Sequence, residues 1–290
     1  MLSETFEYMK RLHNDELYED VITLGSFAMT ALERNTDASL AQRCQCVVYY
    51  ADALYNLDQF KKSEQAYYRA LQMRKSMTKP LETRKHAELT SEADIRFRLH
   101  QCLMRQGKHQ EAMGVLESIP DQQRTPKVRA ALGRLYANEE RRNANLSQQR
   151  RSGKVISNAL LNYKRLLKDV PFAFETLATF LQVGGGLEDA EAAVASVSSE
   201  LDWVDGWISA QGALARRDLA SAAHHLRDLL AQSSISNNAR LVAELGRVYH
   251  LAGERSKAII QLQRAHSLDP FSVKGMDILA ALLSEVSVGM

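Results

Sequence analysis

The sequence predicts an all-α fold, a solenoid built from antiparallel helix pairs. Small and bulky apolar residues recur together at helical spacing, and the same arrangement returns several times along the chain. Helix breakers are also sparse, with five prolines and fourteen glycines in 290 residues.

The clearest unit reads RLVAELGRVYHLAGERSKAIIQLQRAHSLDP, from Arg240 to Pro270. Leu245, Gly246 and Tyr249 share one face of a first helix; Ala258, Leu262 and Ala265 follow at helical spacing on a second. Gly246 and Ala258 remove bulk where paired helices come closest. Gly253 permits the positive φ that ends the first helix, and Pro270 cannot extend the second. This is the tetratricopeptide pattern of about 34 residues per unit. It predicts a tetratricopeptide-repeat superhelix, or α-solenoid.

The template fits elsewhere in order. Thr5 to Leu32 (Leu12, Val21, Ala28) reads as a divergent first unit within a segment 1–43. Val47, Tyr50, Ala51, Leu54, Tyr67 and Ala70 form a second unit with Ser63 in the small slot, and Leu99, Leu103, Gly107, Ala112 and Leu116 a third. Leu132, Gly133 and Tyr136 open a fourth, so 44–138 holds units two, three and the start of four. Its second helix resumes at Ala159, Tyr163 and Leu166, and two weaker units follow, Phe174 to Val197 and Trp203 to Leu230, within 155–271. Met276, Leu279, Ala280 and Leu283 start one more unit in 272–290, which should expose Leu279 and Leu283. Two stretches break the period: polar Met77 to Thr90, and EERRNANLSQQRRSGK at 139–154, expected as a charged, solvated loop.

Bulk properties exclude several classes. The net charge of +2 argues neither for nor against nucleic acid. Cys44, Cys46 and Cys102 have no zinc spacing and are too few for a disulfide framework, so reduced intracellular thiols are expected. Met1 to Lys10 carries Glu4 and Glu7 and no apolar run, so no signal peptide is expected. No stretch approaches the roughly 20 apolar residues that span a bilayer, and no membrane partner is expected.

Candidate chemistry resolves to packing and surface. His224 and His225 are adjacent, so on a helix they point about 100° apart and cannot ligate one metal as an i, i+4 pair would. His100 and His250 fall on first helices, where packing accounts for them. Gly184, Gly185 and Gly186 precede Glu188 and Asp189, with no Lys-Ser or Lys-Thr of a phosphate loop, and read as an inter-helix turn. Arg141, Arg142, Arg150 and Arg151 sit among Glu139 and Glu140 with no interleaved aromatic residue, so no nucleic-acid partner is expected. No catalytic constellation, metal site or cofactor is expected.

A repeat array has one generic functional surface, the concave face lined by first helices. Helical periodicity places Val48, Asp52 and Tyr55 there, then Phe97, Gln101 and Met104, and further on Lys127, Arg134, Arg240 and Arg247. Arginines in a groove suit an acidic peptide or a C-terminal carboxylate. The chaperone-binding form of the fold places a Lys four residues before an Asn on one first helix; Val48 and Asp52, Phe97 and Gln101, and Ala130 and Arg134 occupy those slots here.

Four strings go beyond the repeat consensus: Val48-Tyr49-Tyr50-Ala51-Asp52-Ala53-Leu54; Ile119-Pro120 with Gln123-Arg124-Thr125-Pro126-Lys127; Leu201-Asp202-Trp203 with Trp207-Ile208; and Leu268-Asp269-Pro270-Phe271 with Lys274-Gly275-Met276-Asp277. In this order and spacing the chain resembles the subunit-seven family of the anaphase-promoting complex, the cyclosome. The resemblance implies a non-catalytic scaffold of a ubiquitin ligase, present here as the N-terminal half of that family's array. It implies a homodimer through the N-terminal units, and other tetratricopeptide subunits and a coactivator as partners, in nucleus and cytoplasm. Phe6, Phe27, Tyr49 and Tyr50 are the candidate dimer interface. A free-standing adaptor for an acidic peptide or C-terminal tail is the alternative.

Overall fold

The computed structural model describes residues 2–34, 39–77, 89–146, 157–198, 201–232 and 234–288. Among them are 15 α-helices and no strand, so the all-α reading holds. The chain divides into two compact units, Met1–Leu135 and Tyr136–Met290.

The first unit contains α1 (Leu2–Asn14), α2 (Tyr18–Arg34), α3 (Leu40–Asn56), α4 (Phe60–Ser76), α5 (Glu92–Arg105) and α6 (His109–Glu117), and α7 (Pro126–Leu146) starts in it. Ser39 caps α3 by accepting from the Gln42 amide at 3.2 Å, which moves the start of the second repeat back from the expected residue 44. Ser91 caps α5 through the Asp94 amide at 3.0 Å. One core joins α3, α4, α5 and α6 through Val47, Val48, Ala51, Tyr67, Ile95, Leu99, Leu103 and Ala112. A second joins α1, α2 and α3 through Phe6, Met9, Val21, Ala28 and Tyr49. Each large apolar side chain removed from water in this way contributes about 1.5–3 kcal/mol. Ser63 fills the small slot without leaving a polar group unpaired, because its hydroxyl donates to the Ala51 carbonyl at 2.8 Å.

The second unit contains α8 (Asn158–Asp169), α9 (Phe174–Gln182), α10 (Leu187–Ser198), α11 (Val204–Ala215), α12 (Leu219–Ala231), α13 (Ala239–Leu251), α14 (Arg255–Leu268) and α15 (Met276–Val288). Gly246 is required where α13 meets α14: a Cβ there would lie 2.8 Å from Leu262 Cγ and 3.2 Å from the Leu262 backbone nitrogen. Ala258 is fully buried in the facing helix.

One backbone device recurs at six turns between paired helices. Glu16, Asp58, Gly107, Gly184, Arg217 and Gly253 all have positive φ, between 57° and 101°. At each, the next residue's amide donates back five positions: Leu17 to Leu12, Gln59 to Leu54, Lys108 to Leu103, Gly185 to Phe180, Asp218 to Ala213 and Glu254 to Tyr249, all at 2.8–2.9 Å. This is the Schellman closure, which satisfies a carbonyl that the helix end leaves free. Glycine marks it in the sequence at three of the six turns. The other three are occupied by residues that carry a side chain.

Three expectations are corrected. Glu139–Leu146 is helical and continues α7, where a loop was expected. Glu139, Glu140, Arg141 and Arg142 are good helix formers with no glycine or proline among them; missing apolar periodicity signals an exposed helix as readily as a loop. The remainder of that segment, 147–156, lies outside the described residues, as do 78–88 of the polar link. Leu279 is buried at 5% exposure where α15 packs on α14, while Leu283 is 43% exposed. His250 is exposed in the last turn of α13, a place that suits an imidazole beside the helix C-terminal dipole but not a packed one.

Candidate functional site

The groove positions predicted in the first unit divide between core and surface. Val48 is fully buried and Asp52 is 6% exposed, so neither lines a surface. The Asp52 carboxylate accepts from Tyr67 and Arg98, and the Asn56 amide donates to its backbone carbonyl, which makes it a structural junction. The first-helix periodicity that selected these two residues marks the face toward the helix's own partners here. Tyr55 is half-buried with its ring 5.5 Å from Phe60. Lys127 pairs with Asp94 and stands over the Phe97 ring at 5.1 Å. Burial pushes the Asp94 carboxyl up, but hydrogen bonds from Lys127 and Ser91 outweigh it and hold it below the usual range. Arg134 is exposed, its Nε 3.3 Å from the Ala130 carbonyl.

The proposed dimer residues are corrected in part. Phe6 and Tyr49 are 7% and 8% exposed and pack within one core, ring centroids 6.2 Å apart. They sit where α1 crosses α3, so their apolar area is already used inside the unit. Tyr50 is half-buried, and Phe27 is 71% exposed.

The second unit brings the predicted cations together. Arg240 and Arg247, two turns apart on α13, line one cavity of about 340 Å³ with Glu244, Lys274 and Asp277. Arg240 also lines a neighbouring cavity of about 280 Å³ with Phe174, Trp203, Trp207, Ile235 and Leu241. There the Phe174 ring centroid lies 5.2 Å from Trp203 and 5.3 Å from Trp207, the second contact edge-to-face. Asn238 caps α13 by accepting from the Leu241 amide at 3.1 Å, which fixes the start of the helix and so the position of Arg240. Arg240 pairs with Glu175. Glu244 accepts from Gln211 Nε2 at 2.7 Å and lies 3.7 Å from Arg247.

Arg240 and Arg247 were predicted as groove contacts. Lys274 and Trp207 entered the sequence reading only as parts of the family strings, and Trp203 there and as the start of a weak repeat unit. Their convergence was not read, although the chain's two tryptophans standing four residues apart at a helix start are a usable signal.

Other groups serve packing or surface. The His224 and His225 ring centroids are 5.9 Å apart, and His224 lies 3.4 Å from Asp228, one turn on. No cluster of three His, Cys, Asp or Glu residues suited to a metal occurs among the described residues. No helix among them is long and apolar enough to cross a membrane.

No family model matches the chain. It is 27% identical to anaphase-promoting complex subunit 7 of Homo sapiens over 284 residues, which is 92% of this chain and 47% of that protein. The chain is similar to anaphase-promoting complex subunit 7. The subunit 7 of Mus musculus matches to the same extent, and that of Arabidopsis thaliana is 21% identical over 303 residues, 96% of this chain and 51% of that protein. The chain thus spans about half the length of the curated subunit 7 relatives it matches, in keeping with the half-array the resemblance implied. Among solved structures, a tetratricopeptide-repeat protein of Parabacteroides merdae superposes with a TM-score of 0.51 at 14% identity, covering 97% of this chain and 98% of that one. The C-terminal part of a repeat protein of Cytophaga hutchinsonii gives 0.54 at 13% identity, covering 94% and 98%. These neighbours establish the tetratricopeptide fold.

Proposed function

We propose that the chain is a non-catalytic scaffold subunit of an anaphase-promoting-complex ubiquitin ligase, acting in nucleus and cytoplasm. The single observation that carries this reading is the 27% identity to subunit 7 sustained over 92% of the chain. Repeats with packed cores and capped turns supply rigid protein-binding surfaces, which is what assembly and the recruitment of coactivator and substrate require. Affinity purification of the tagged chain from dividing cells should recover other subunits of the ligase. Their absence from such a purification sinks the reading.

Self-association through the N-terminal unit belongs to the same reading. Its support is narrower than four aromatic residues, because Phe27 is the one of the set left largely exposed. Light scattering at micromolar concentration should give a dimer mass, and Phe27→Asp should shift it toward the monomer.

A second reading, a free-standing adaptor for an acidic peptide, is supported by Arg240 and Arg247 lining one cavity. Under it, the tagged chain would capture its partner in extracts depleted of the ligase.

A further inference from the structure

We propose that the two adjoining cavities of the second unit bind an acidic peptide segment with one bulky apolar side chain beside its carboxylates. The proposal rests on the peptide-binding reading and gives it a place and a chemistry.

The aromatic cavity takes the apolar side chain. Its volume of about 280 Å³ falls just below the range of ligand-sized pockets, about 300–1,000 Å³, which suits one side chain better than a cofactor. Phe174, Trp203 and Trp207 supply ring faces and edges, and Ile235 and Leu241 complete an apolar wall. Three aromatic residues could also receive a quaternary ammonium group. Arg240 on the same wall opposes a cation and selects an apolar group with negative charge next to it.

The second cavity takes the carboxylates. Arg240, Arg247 and Lys274 face Glu244 and Asp277, three cations against two carboxylates. Glu244 is already engaged by Gln211 and by Arg247, and Lys274 makes no ion pair among the described residues. Arg240 is held by Glu175 across an exposed pair, with side chains 48% and 71% accessible. Such an exposed pair is weak, so a ligand carboxylate can displace Glu175 and form the bidentate, charge-assisted contact that guanidinium favours. Because Arg240 lines both cavities, the apolar side chain and the carboxylates of the ligand must be close neighbours in its sequence.

Trp203 and Trp207 are the only tryptophans of the chain, so its intrinsic emission reports on this cavity. The test titrates the full chain with acetyl-Glu-Asp-Phe-Asp-Glu-amide, following tryptophan emission and, with a fluorescein-labelled copy, anisotropy. A saturable response is expected. It should weaken by about tenfold or more, equivalent to about 1.4 kcal/mol, when the peptide's acids become amides or its Phe becomes Gly. Arg240→Glu and, as a second variant outside the helices, between α14 and α15, Lys274→Glu should weaken it similarly with helicity unchanged. Arg134→Glu, in the other unit, should not. No saturation in either readout below about 1 mM overturns the proposal. So does equal binding of the amide peptide, or tighter binding of a trimethyl-lysine peptide. Partner capture in extracts depleted of the ligase does not depend on this peptide, so the proposal and the peptide-binding reading fail separately.

Discussion

The phenolic hydroxyl of Tyr67 donates to Asp52 Oδ1 at 2.5 Å, inside the first unit where Tyr67 is 1% exposed. Arg98 donates to the other carboxylate oxygen, and His13 Nε2 lies 3.2 Å from it. One carboxylate therefore joins α1, α3, α4 and α5. Burial, with the Asp52 charge adding to it, pushes the Tyr67 hydroxyl far above its usual range and keeps it a donor. Burial also opposes the Arg98 charge, but Asp52 outweighs this and raises its pKa. Asp52→Ala should cost about 3 kcal/mol, the lower end for breaking a buried pair because the Arg98 side chain is 36% exposed. Tyr67→Phe should cost about 1 kcal/mol. Urea denaturation measures both, and equal losses would contradict the junction role of Asp52.

The six left-handed turns give opposite expectations for two substitutions. Gly253 has φ +79° and open space around its missing Cβ, so Gly253→Ala meets only backbone strain and should destabilise by about 1 kcal/mol. Arg217 adopts φ 61° with a side chain, and Arg217→Gly should stabilise by a similar or smaller amount. Thermal unfolding of the two variants should shift Tm in opposite directions.

His100 is 8% exposed, with Nδ1 2.8 Å from the Phe97 carbonyl. Burial lowers its pKa, and nearby Arg134 acts in the same direction against that carbonyl. The native state then binds a proton less readily than the unfolded chain. As pH falls below the unfolded value of about 6.5, the unfolded state gains protons first and stability is lost; above it the contribution is fully present. His100→Gln should flatten the stability profile between about pH 7 and 5.5. Parallel profiles would remove His100 as the cause.

Burial pushes the thiols of Cys44 and Cys102 up to about 11 and that of Cys46 up to about 12. At pH 8, roughly one Cys44 or Cys102 thiol in a thousand is thiolate, the reactive form. An aromatic disulfide reagent should leave the native protein unmodified and titrate all three thiols after unfolding.

Much of the fold was legible in the residues. Gly246 opposite Leu262, Gly253 after α13, Ser63 in its slot and the period itself follow from steric size and backbone freedom, which are properties of single residues at fixed spacing. The turns at Glu16, Asp58 and Arg217 were not legible, because the Schellman closure is a backbone geometry that packing can impose on a residue with a side chain. Phe6 and Tyr49 illustrate the other limit: aromatic character predicts burial against something, and only the crossing of α1 on α3 decides that the partner is internal.

The amino-acid sequence determined an all-α array of tetratricopeptide units, the glycine-marked turn at Gly253 and its similarity to subunit 7, since period, glycine placement and identity are local or one-dimensional quantities. Tertiary structure decided which side of each first helix faces water, so Asp52 became a core junction while Arg240 and Arg247 stayed on a surface. It also brought Phe174, Trp203, Arg240 and Lys274 to adjoining cavities. That convergence joins residues about a hundred positions apart, and it depends on how successive helix pairs stack rather than on any one of them.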